Sequence, residues 1–302
     1  MKYFIITVDT EGDNPWTYTK CAEIATVNTR FIPRFQELCE KYALKPTYLT
    51  NYEMTCDREF QKFARHITNN NTAEIGVHLH AWNNPPIYNL SSKYPGNPYL
   101  IEYPDDIMRE KFRIIYDRLT DMTGVPPTSH RAGRWGMDQR YFKILKDFGI
   151  IADCSYTPHI YWHNSCGETI ESGPDYRNVN RNAHYIDGIL EVPMTVRVFK
   201  DIQFTSLKDF AKSLLRGRIV WLRPATCPLS DMLKLIDIVD KEPETDYLEF
   251  MIHSSELMPG GSPYFKTPDD INNLYDVMDA IFKKVSESGH KGVSLSEYAR
   301  TK

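Results

Sequence analysis

Residues Tyr3-Phe4-Ile5-Ile6-Thr7-Val8 form an apolar, β-branched and aromatic run that ends at once in Asp9-Thr10-Glu11-Gly12-Asp13. So short and apolar a run reads as a strand buried on both faces, and an Asp and a Glu two residues apart share one side of it. A helix is expected next. From about residue 27 to 42, Phe31, Ile32, Phe35, Leu38 and Cys39 recur at helical spacing, Lys45-Pro46 breaks the pattern, and Thr47-Tyr48-Leu49-Thr50 reads as a second strand. The opening unit is β-α-β.

The same alternation runs on. Helical pattern over about 58–67 precedes the strand Ala73 to His80 and a loop rich in Pro and Asn at 82–86. A charged amphipathic helix covers about 104–123, followed by Ser129-His130-Arg131-Ala132-Gly133-Arg134-Trp135-Gly136, a helix capped by Asp138 and ended by Gly149, and a strand at 150–153. Residues about 155–188, rich in Asn, His, Tyr, Gly and Pro, predict an excursion of loops. Strands are then expected at 190–198, 219–222, 248–253 and 293–295, with helices at about 207–216, 229–241 and 268–288. Strands separated by helices throughout imply a parallel sheet with crossovers, and seven or eight such units predict an α/β barrel.

The 302 residues carry 36 Lys+Arg against 40 Asp+Glu, a net charge of −4, with no long basic cluster, which argues against a nucleic-acid partner or an anionic membrane surface. The first segment turns polar too soon for a signal-peptide core, and no stretch approaches about 18 apolar residues, so no membrane span and a cytoplasmic protein are expected. Six scattered cysteines without a C-x-x-C pair fit reduced thiols. Aromatic residues make up 13% of the chain, with 19 Tyr and 5 Trp. Such rings line sugar clefts as readily as they rim a core.

In a β/α barrel the chemistry sits where strands end. Polar residues there are Asp9 and Glu11, His78 and His80, Arg131 and Arg134, Asp153, Glu191 and His253. Two histidines at i and i+2 on a strand face one way, so His78 and His80 can share a divalent metal, Zn²⁺ by preference, with Asp9 or Glu11 completing the set and an open position left for water. The other carboxylate is then a general base, and His253 a general acid for a leaving amine. Arg131 or Arg134 pairs with the base, and Trp82, Trp135 and Tyr264 offer rings to a sugar. Each has a plainer competitor: a packed histidine, an Asx-turn, an ion-paired arginine, a rim aromatic.

The ordered set of Thr7-Val8-Asp9-Thr10-Glu11, Glu74-Ile75-Gly76-Val77-His78-Leu79-His80, Arg131-Ala132-Gly133-Arg134-Trp135-Gly136, Leu190-Glu191-Val192-Pro193 and Met251-Ile252-His253 resembles the polysaccharide deacetylase family, the NodB-homology domain of carbohydrate esterase family four. The resemblance runs from about residue 3 to 260. It implies a distorted (β/α)7-type barrel, one unit over 1–302, since the motifs spread from residue 9 to 253. It also implies a metal-dependent hydrolase that removes N-acetyl or N-formyl groups from an amino sugar, a sugar nucleotide or an oligosaccharide intermediate, as in O-antigen or capsule biosynthesis.

By position, Asp9 matches the base, Glu11 and His78 metal ligands, His253 the acid and Arg131 the arginine that orients the base; Arg134, Trp82, Trp135 and Tyr264 remain substrate-binding candidates. The family's histidines are four apart, whereas four after His78 stands Trp82, so His80 enters as the second histidine by proximity. The usual adjacent aspartates are separated here by Thr10, which leaves the roles of Asp9 and Glu11 exchangeable, and the third motif is one residue longer. A barrel that binds carbohydrate without turnover, or a hydrolase of a non-sugar amide such as a cyclic ureide, are the alternatives.

Overall fold

The computed structural model describes residues 2–17, 23–200 and 217–302. In chain order its strands are β1 (Tyr3–Thr10), β2 (Pro46–Thr50), β3 (Glu74–Leu79), β4 (Ser129–Ala132), β5 (Ala152–Asp153), β6 (His184–Ile186), β7 (Ile189–Glu191), β8 (Val196–Phe199), β9 (Arg218–Trp221), β10 (Tyr247–His253) and β11 (Lys291–Val293). The helices are α1 (Ile32–Lys41), α2 (Arg58–Asn69), α3 (Asp105–Thr123), α4 (Gln139–Asp147), α5 (Leu229–Val239), α6 (Pro268–Glu287) and α7 (Leu295–Ala299).

The opening apolar run is β1, buried in all but its first residue. It pairs in parallel with β10 on one side, and on the other with β11 through Tyr3–Ile5 and with β2 through Ile6–Thr10. The sheet continues β2-β3-β4-β5-β7, all parallel, and closes on the antiparallel edge strand β6. Helices cover its outer face because their apolar positions recur every three or four residues. α1 buries Ile32, Phe35 and Cys39, while α2 buries Phe60, Ala64 and Ile67 beneath an N-cap in which Asp57 accepts from the amides of Glu59 and Phe60. This is the expected distorted α/β barrel.

Two apolar layers follow from strand alternation. Phe4, Ile6 and Val8 pack under the helices with Phe35, Phe60 and Phe282, whereas Ile5 joins Leu49, Ala152, Leu190, Tyr247 and Tyr298 inside the curl. α7 plugs that inner space from below. The Tyr298 ring meets Tyr3 and Tyr247 at centroid distances of 5.4 and 5.3 Å, and the Leu295 amide donates to Thr47 Oγ1 at 2.9 Å. The other end of the curl, where the strands finish, is left to polar residues.

Three expectations need correction. The strand expected over 190–198 is two: β7 stops at Glu191, Pro193 has no N–H for a ladder, and β8 pairs antiparallel with β9 in a separate two-stranded sheet. That sheet rejoins the main one through a bridge between Leu222 and Phe250. The expected strand 293–295 ends at Val293, because Ser294 caps α7 in a box with Glu297. The strand expected from Ile150 begins only at Ala152. The helix expected at about 207–216 lies outside the described residues, as does Cys21; the other five cysteines are free. Residues 155–188, expected as loops, are mostly so, but they include the edge strand β6 at 184–186 and a bridge between Tyr161 and Asp175. Among the described residues no helix is long and apolar enough to cross a membrane.

Gly76 lies two residues before His78 and faces the inside of the curl, where a β-carbon would come within 2.3 Å of Ser129 Oγ, 2.8 Å of Leu49 Cδ2 and 3.0 Å of Ser129 O. Strands β3 and β4 can approach only with hydrogen there. Gly76→Ala is expected to lower stability by about 1–3 kcal/mol, read as a reduced urea midpoint at constant slope; an unchanged midpoint would contradict this packing.

Candidate metal centre

Strand period and register bring the polar residues together. Thr7 and Asp9, then Glu11 just past the end of β1, fall on one side; Gly76, His78 and His80 do the same along β3. The register sets Asp9 beside His253 of β10 and His78 beside Arg131 of β4. Asp9, Glu11, His78, His80 and Arg131 are all buried, and His253 is nearly so.

Glu11, His78 and His80 each aim one ligand atom at a common point, with all three atoms within 4.8 Å of one another. Glu11 Oε2 is 2.7 Å from His80 Nε2 and 3.8 Å from His78 Nε2, and the two Nε2 atoms are 3.1 Å apart. Two ligand atoms each about 2.0 Å from a tetrahedral zinc stand roughly 3.3 Å apart, so the triangle has the right size. The chemistry of the donors fits as well. His78 Nδ1 donates to the Arg131 carbonyl at 2.9 Å, which leaves Nε2 as the lone pair facing inward. Burial holds both imidazoles neutral, His78 pushed down to about 4 and His80 to about 3. Burial pushes the Glu11 carboxyl up to about 7, since the nearby His253 and His78 offset it only in part. A carboxylate and two neutral imidazoles, set together out of water, make a cation site.

Two residues away the opposite holds. Asp9 Oδ1 accepts from Arg131 Nη1 at 2.6 Å. Burial alone would raise the Asp9 carboxyl, yet the Arg131 charge, with His78 and His253, holds it well below the usual carboxylate range. Arg131 is fully buried and also donates to Glu249 Oε1 at 2.6 Å, to Thr7 Oγ1 at 2.8 Å and to the Cys154 carbonyl at 3.2 Å. The free Asp9 Oδ2 stands 4.0 Å from His78 Nε2 and 3.8 Å from His253 Nε2. Asp9 thus belongs to the arginine and Glu11 to the histidines.

His253 is turned by its neighbours so that Nε2 points at this space, 3.6 Å from Glu11 Oε1. Its Nδ1 lies 3.4 Å from Glu256 Oε2, which also accepts from the His253 amide at 2.9 Å, and its ring meets Trp16 at 5.0 Å. Burial disfavours the imidazolium, as does the Arg223 guanidinium, whose Nη2 is 3.3 Å from Nδ1, but Glu256 and Glu11 together outweigh both and the net shift is upward.

Above these groups opens a cavity of about 350 Å³. Trp82, Trp135 and Arg134 line it, together with Trp16, Asn97 and Ser165. The Trp82 ring lies 4.3 Å from that of His80, and Trp135 stacks on Trp162 with its ring 5.0 Å from the Arg131 guanidinium. Arg134, at φ 54°, is committed to the loops: it donates to the Asn97 carbonyl, to Ser165 Oγ at 2.8 Å and to the Cys166 carbonyl at 2.9 Å. Tyr264 stands outside the lining, edge-on to Trp16 at 5.6 Å. Asp153 and Glu191 form a separate buried bracket, in which Asp153 meets His130 Nδ1 at 2.6 Å and Glu191 accepts from the Tyr156 amide.

Sequence reasoning missed Glu249, Glu256 and Trp16. Glu249 had a signal: a charge amid an apolar strand at the parity of His253. Glu256 stands three after His253, the spacing of a reciprocal cap, whereas nothing local marks Trp16.

The Arg131 cluster generates a graded prediction. Arg131→Met leaves two buried carboxylates without their cation and is expected to cost about 3–5 kcal/mol in urea unfolding. Glu249→Gln keeps an acceptor for Arg131 and a 1:1 charge pair with Asp9, so about 1 kcal/mol or less is expected. The reverse order would contradict the assignment.

No family model and no curated protein matches this sequence. Solved structures do resemble it. The "putative polysaccharide deacetylase" of Mycobacterium smegmatis superposes at a TM-score of 0.57 with 14% identity, over 99% of this chain and 90% of that one. A 4-alpha-glucanotransferase from Thermococcus litoralis gives 0.58 and 10% over all of this chain and 40% of its own, and a GH57 branching enzyme from Thermococcus kodakaraensis gives 0.56 and 9% over 99% and 71%. At such identities the likeness is one of fold: this chain shares the curled, mostly parallel β/α barrel of these proteins over almost its whole length.

Proposed function

We propose that this protein is a metal-dependent hydrolase that removes an N-acetyl or N-formyl group from an amino sugar within a glycan intermediate. The observation that carries the reading is the convergence of Glu11, His78 and His80 on one point, flanked by Asp9 on one side and His253 on the other. The barrel shared with the M. smegmatis protein named a "putative polysaccharide deacetylase" supports it. The two Thermococcus neighbours are named as a 4-alpha-glucanotransferase and a GH57 branching enzyme, but a retaining glycosidase needs two carboxylates about 5 Å apart and facing one sugar. Here Asp9 is tied to Arg131 and Glu11 lies between imidazoles, which suits hydrolysis at a carbonyl better.

In the mechanism, Glu11, His78 and His80 would hold a divalent cation, zinc by donor type. Such an ion supplies Lewis acidity, acidifying water and polarising a carbonyl. Asp9, kept ionised and oriented by Arg131, receives the proton of the attacking water on Oδ2. His253, whose protonated form Glu256 favours, gives a proton from Nε2 to the departing nitrogen, so that an amine rather than an amide anion leaves. Trp16, Trp82 and Trp135 wall the cleft against water and offer flat faces to the sugar. The setting we propose is surface-polysaccharide assembly of the O-antigen kind, in the cytoplasm, in line with the motif resemblance and the free thiols.

His78→Ala is expected to lose stoichiometric metal and, with it, acetate release. Asp9→Asn is expected to keep the metal and lose roughly 10²–10⁴ in kcat, the usual range for a general base. Metal content by elemental analysis and acetate by enzymatic assay separate the two. Full activity with a full complement of metal in His78→Ala would overturn the proposal, as would metal loss in Asp9→Asn with unchanged turnover.

A further inference from the structure

The two imidazoles beside Glu11 are held in different ways. His78 is fixed by a hydrogen bond, its Nδ1 donating to the Arg131 carbonyl at 2.9 Å. His80 turns Nε2 to Glu11 and His78, and its Nδ1 is buried with no hydrogen-bond partner among the described residues. A histidine that binds metal almost always anchors its second nitrogen, which sets the orientation of the ring. For His80 that orientation comes from contact. The Trp82 ring packs against it, with centroids 4.3 Å apart and planes at 55°. Gly133 backs the Nδ1 edge, where a β-carbon would come within 2.9 Å of Nδ1 and 2.3 Å of the Leu79 carbonyl oxygen.

An indole can hold a neighbour only if it is held itself, and the residues after Trp82 are pinned one by one. Asn83 Nδ2 donates to Glu53 Oε2 at 2.7 Å, while Glu53 Oε1 accepts at 2.8 Å from the amide of Gly12, the residue after Glu11. The Asn84 amide returns to the His80 carbonyl at 3.3 Å, which closes a turn with Trp82 at its middle. Asn84 Nδ2 donates to the Lys111 carbonyl at 2.7 Å, and Lys111 Nζ donates to the carbonyls of Asn84 and Pro86, each at 2.6 Å. Lys111, buried on α3, makes no ion pair among the described residues, so its ammonium serves this loop, with the Tyr103 ring 4.9 Å away.

We infer that Trp82 is a positioning residue for His80: braced by Glu53 and Lys111 through the 83–86 loop, the indole supplies by contact the orientation that His78 receives from a hydrogen bond. The inference rests on the reading of Glu11, His78 and His80 as metal ligands. Terminal torsions of an imidazole are broad, so without the ring His80 has neither a rotamer well nor a bond to return it to the cation. The role is separate from that of a cleft wall, because it acts on metal binding with no substrate present.

Zinc affinity by competition with a chelator, and the visible spectrum of the cobalt(II)-loaded protein, test this on the wild type, Trp82→Ala, Trp82→Phe and Asn83→Ala. Trp82→Ala is expected to bind zinc roughly 10–100-fold more weakly, the usual cost of losing a group that orients a ligand, and to change the cobalt spectrum, which reports coordination geometry. Trp82→Phe, which keeps a flat ring in place, is expected to restore both. Asn83→Ala keeps the indole but cuts its tie to Glu53, and a smaller loss in the same direction is expected. Urea unfolding of each metal-free variant separates loss of fold from loss of metal, and Asn83→Ala carries the test if Trp82→Ala does not fold. Unchanged affinity and spectrum in Trp82→Ala with only KM raised overturns the inference, as does an equal loss in Trp82→Ala and Trp82→Phe, or unchanged affinity in Asn83→Ala where that variant stands alone. The two readings fail separately. A wild type that takes up no zinc overturns the metal centre and this role with it, whereas zinc lost in His78→Ala and fully kept in Trp82→Ala overturns the role of Trp82 alone.

Discussion

A guanidinium with no access to solvent is the group around which this barrel is arranged. Arg131 reaches from β4 across the inside of the curl to Asp9 on β1 and Glu249 on β10, with Thr7 and the Cys154 carbonyl taking further N–H groups. Removing such a charge from water costs several kcal/mol, offset only by good geometry with opposite charge and satisfied hydrogen bonds. Both are present. The ladder alone brings β10 beside β1 but leaves β4 three strands away from β1; Arg131 spans that gap through the interior. Below it the inside of the curl is apolar and plugged by Tyr298, and above it lie the functional groups.

That single cation also explains how two carboxylates, two residues apart on one strand end, come to behave differently. Asp9 has a fixed cation and stays ionised; Glu11 has two neutral imidazoles, and burial raises it to about 7. Environments that push paired carboxylates apart in this way commonly mark a division of labour. On the proposed reading the division follows the partners, with Glu11 left for a cation and Asp9 for a proton. Glu249 takes up the remaining capacity of Arg131, and its own carboxyl, raised by burial more than Arg131 lowers it, lies at about 7. With both Glu11 and Glu249 raised by burial, the interior holds more acid than Arg131 alone balances, and on the proposed reading a divalent ion would add positive charge at the Glu11 end.

Much of this was legible in the sequence, for physical reasons. Apolar runs that stop at Asp9, His80 and His253 mark strand ends, and i, i+2 spacing fixes which side chains share a face. Asp9, Glu11, His78, His80, Arg131 and His253 accordingly come together around the space that their spacing implied. The exchangeable roles of Asp9 and Glu11 could not be settled from spacing, because the choice depends on which of them Arg131 reaches across the sheet. Glu249 and Glu256 act through contacts between strands and within a short turn, neither of which periodicity reports. The split of 190–198 into β7 and β8 turns on Pro193, which interrupts an otherwise strand-like run. The S-x-x-E box at 294–297 was also visible, and it ends the last strand at Val293. Arg134 looked like a substrate ligand by its place after a strand, whereas its guanidinium holds loops that are distant in sequence.

The central claim is that Glu11, His78 and His80, and not Asp9, hold a metal ion. An anomalous-difference map from crystals of the zinc-loaded protein, recorded across the zinc edge, addresses it most directly. The account predicts one strong peak about 2.0–2.2 Å from a Glu11 carboxylate oxygen and from the Nε2 atoms of His78 and His80, with Asp9 still paired to Arg131 and outside bonding distance. No peak at this point, or a peak bonded to Asp9 with Glu11 or His80 turned away, would contradict it.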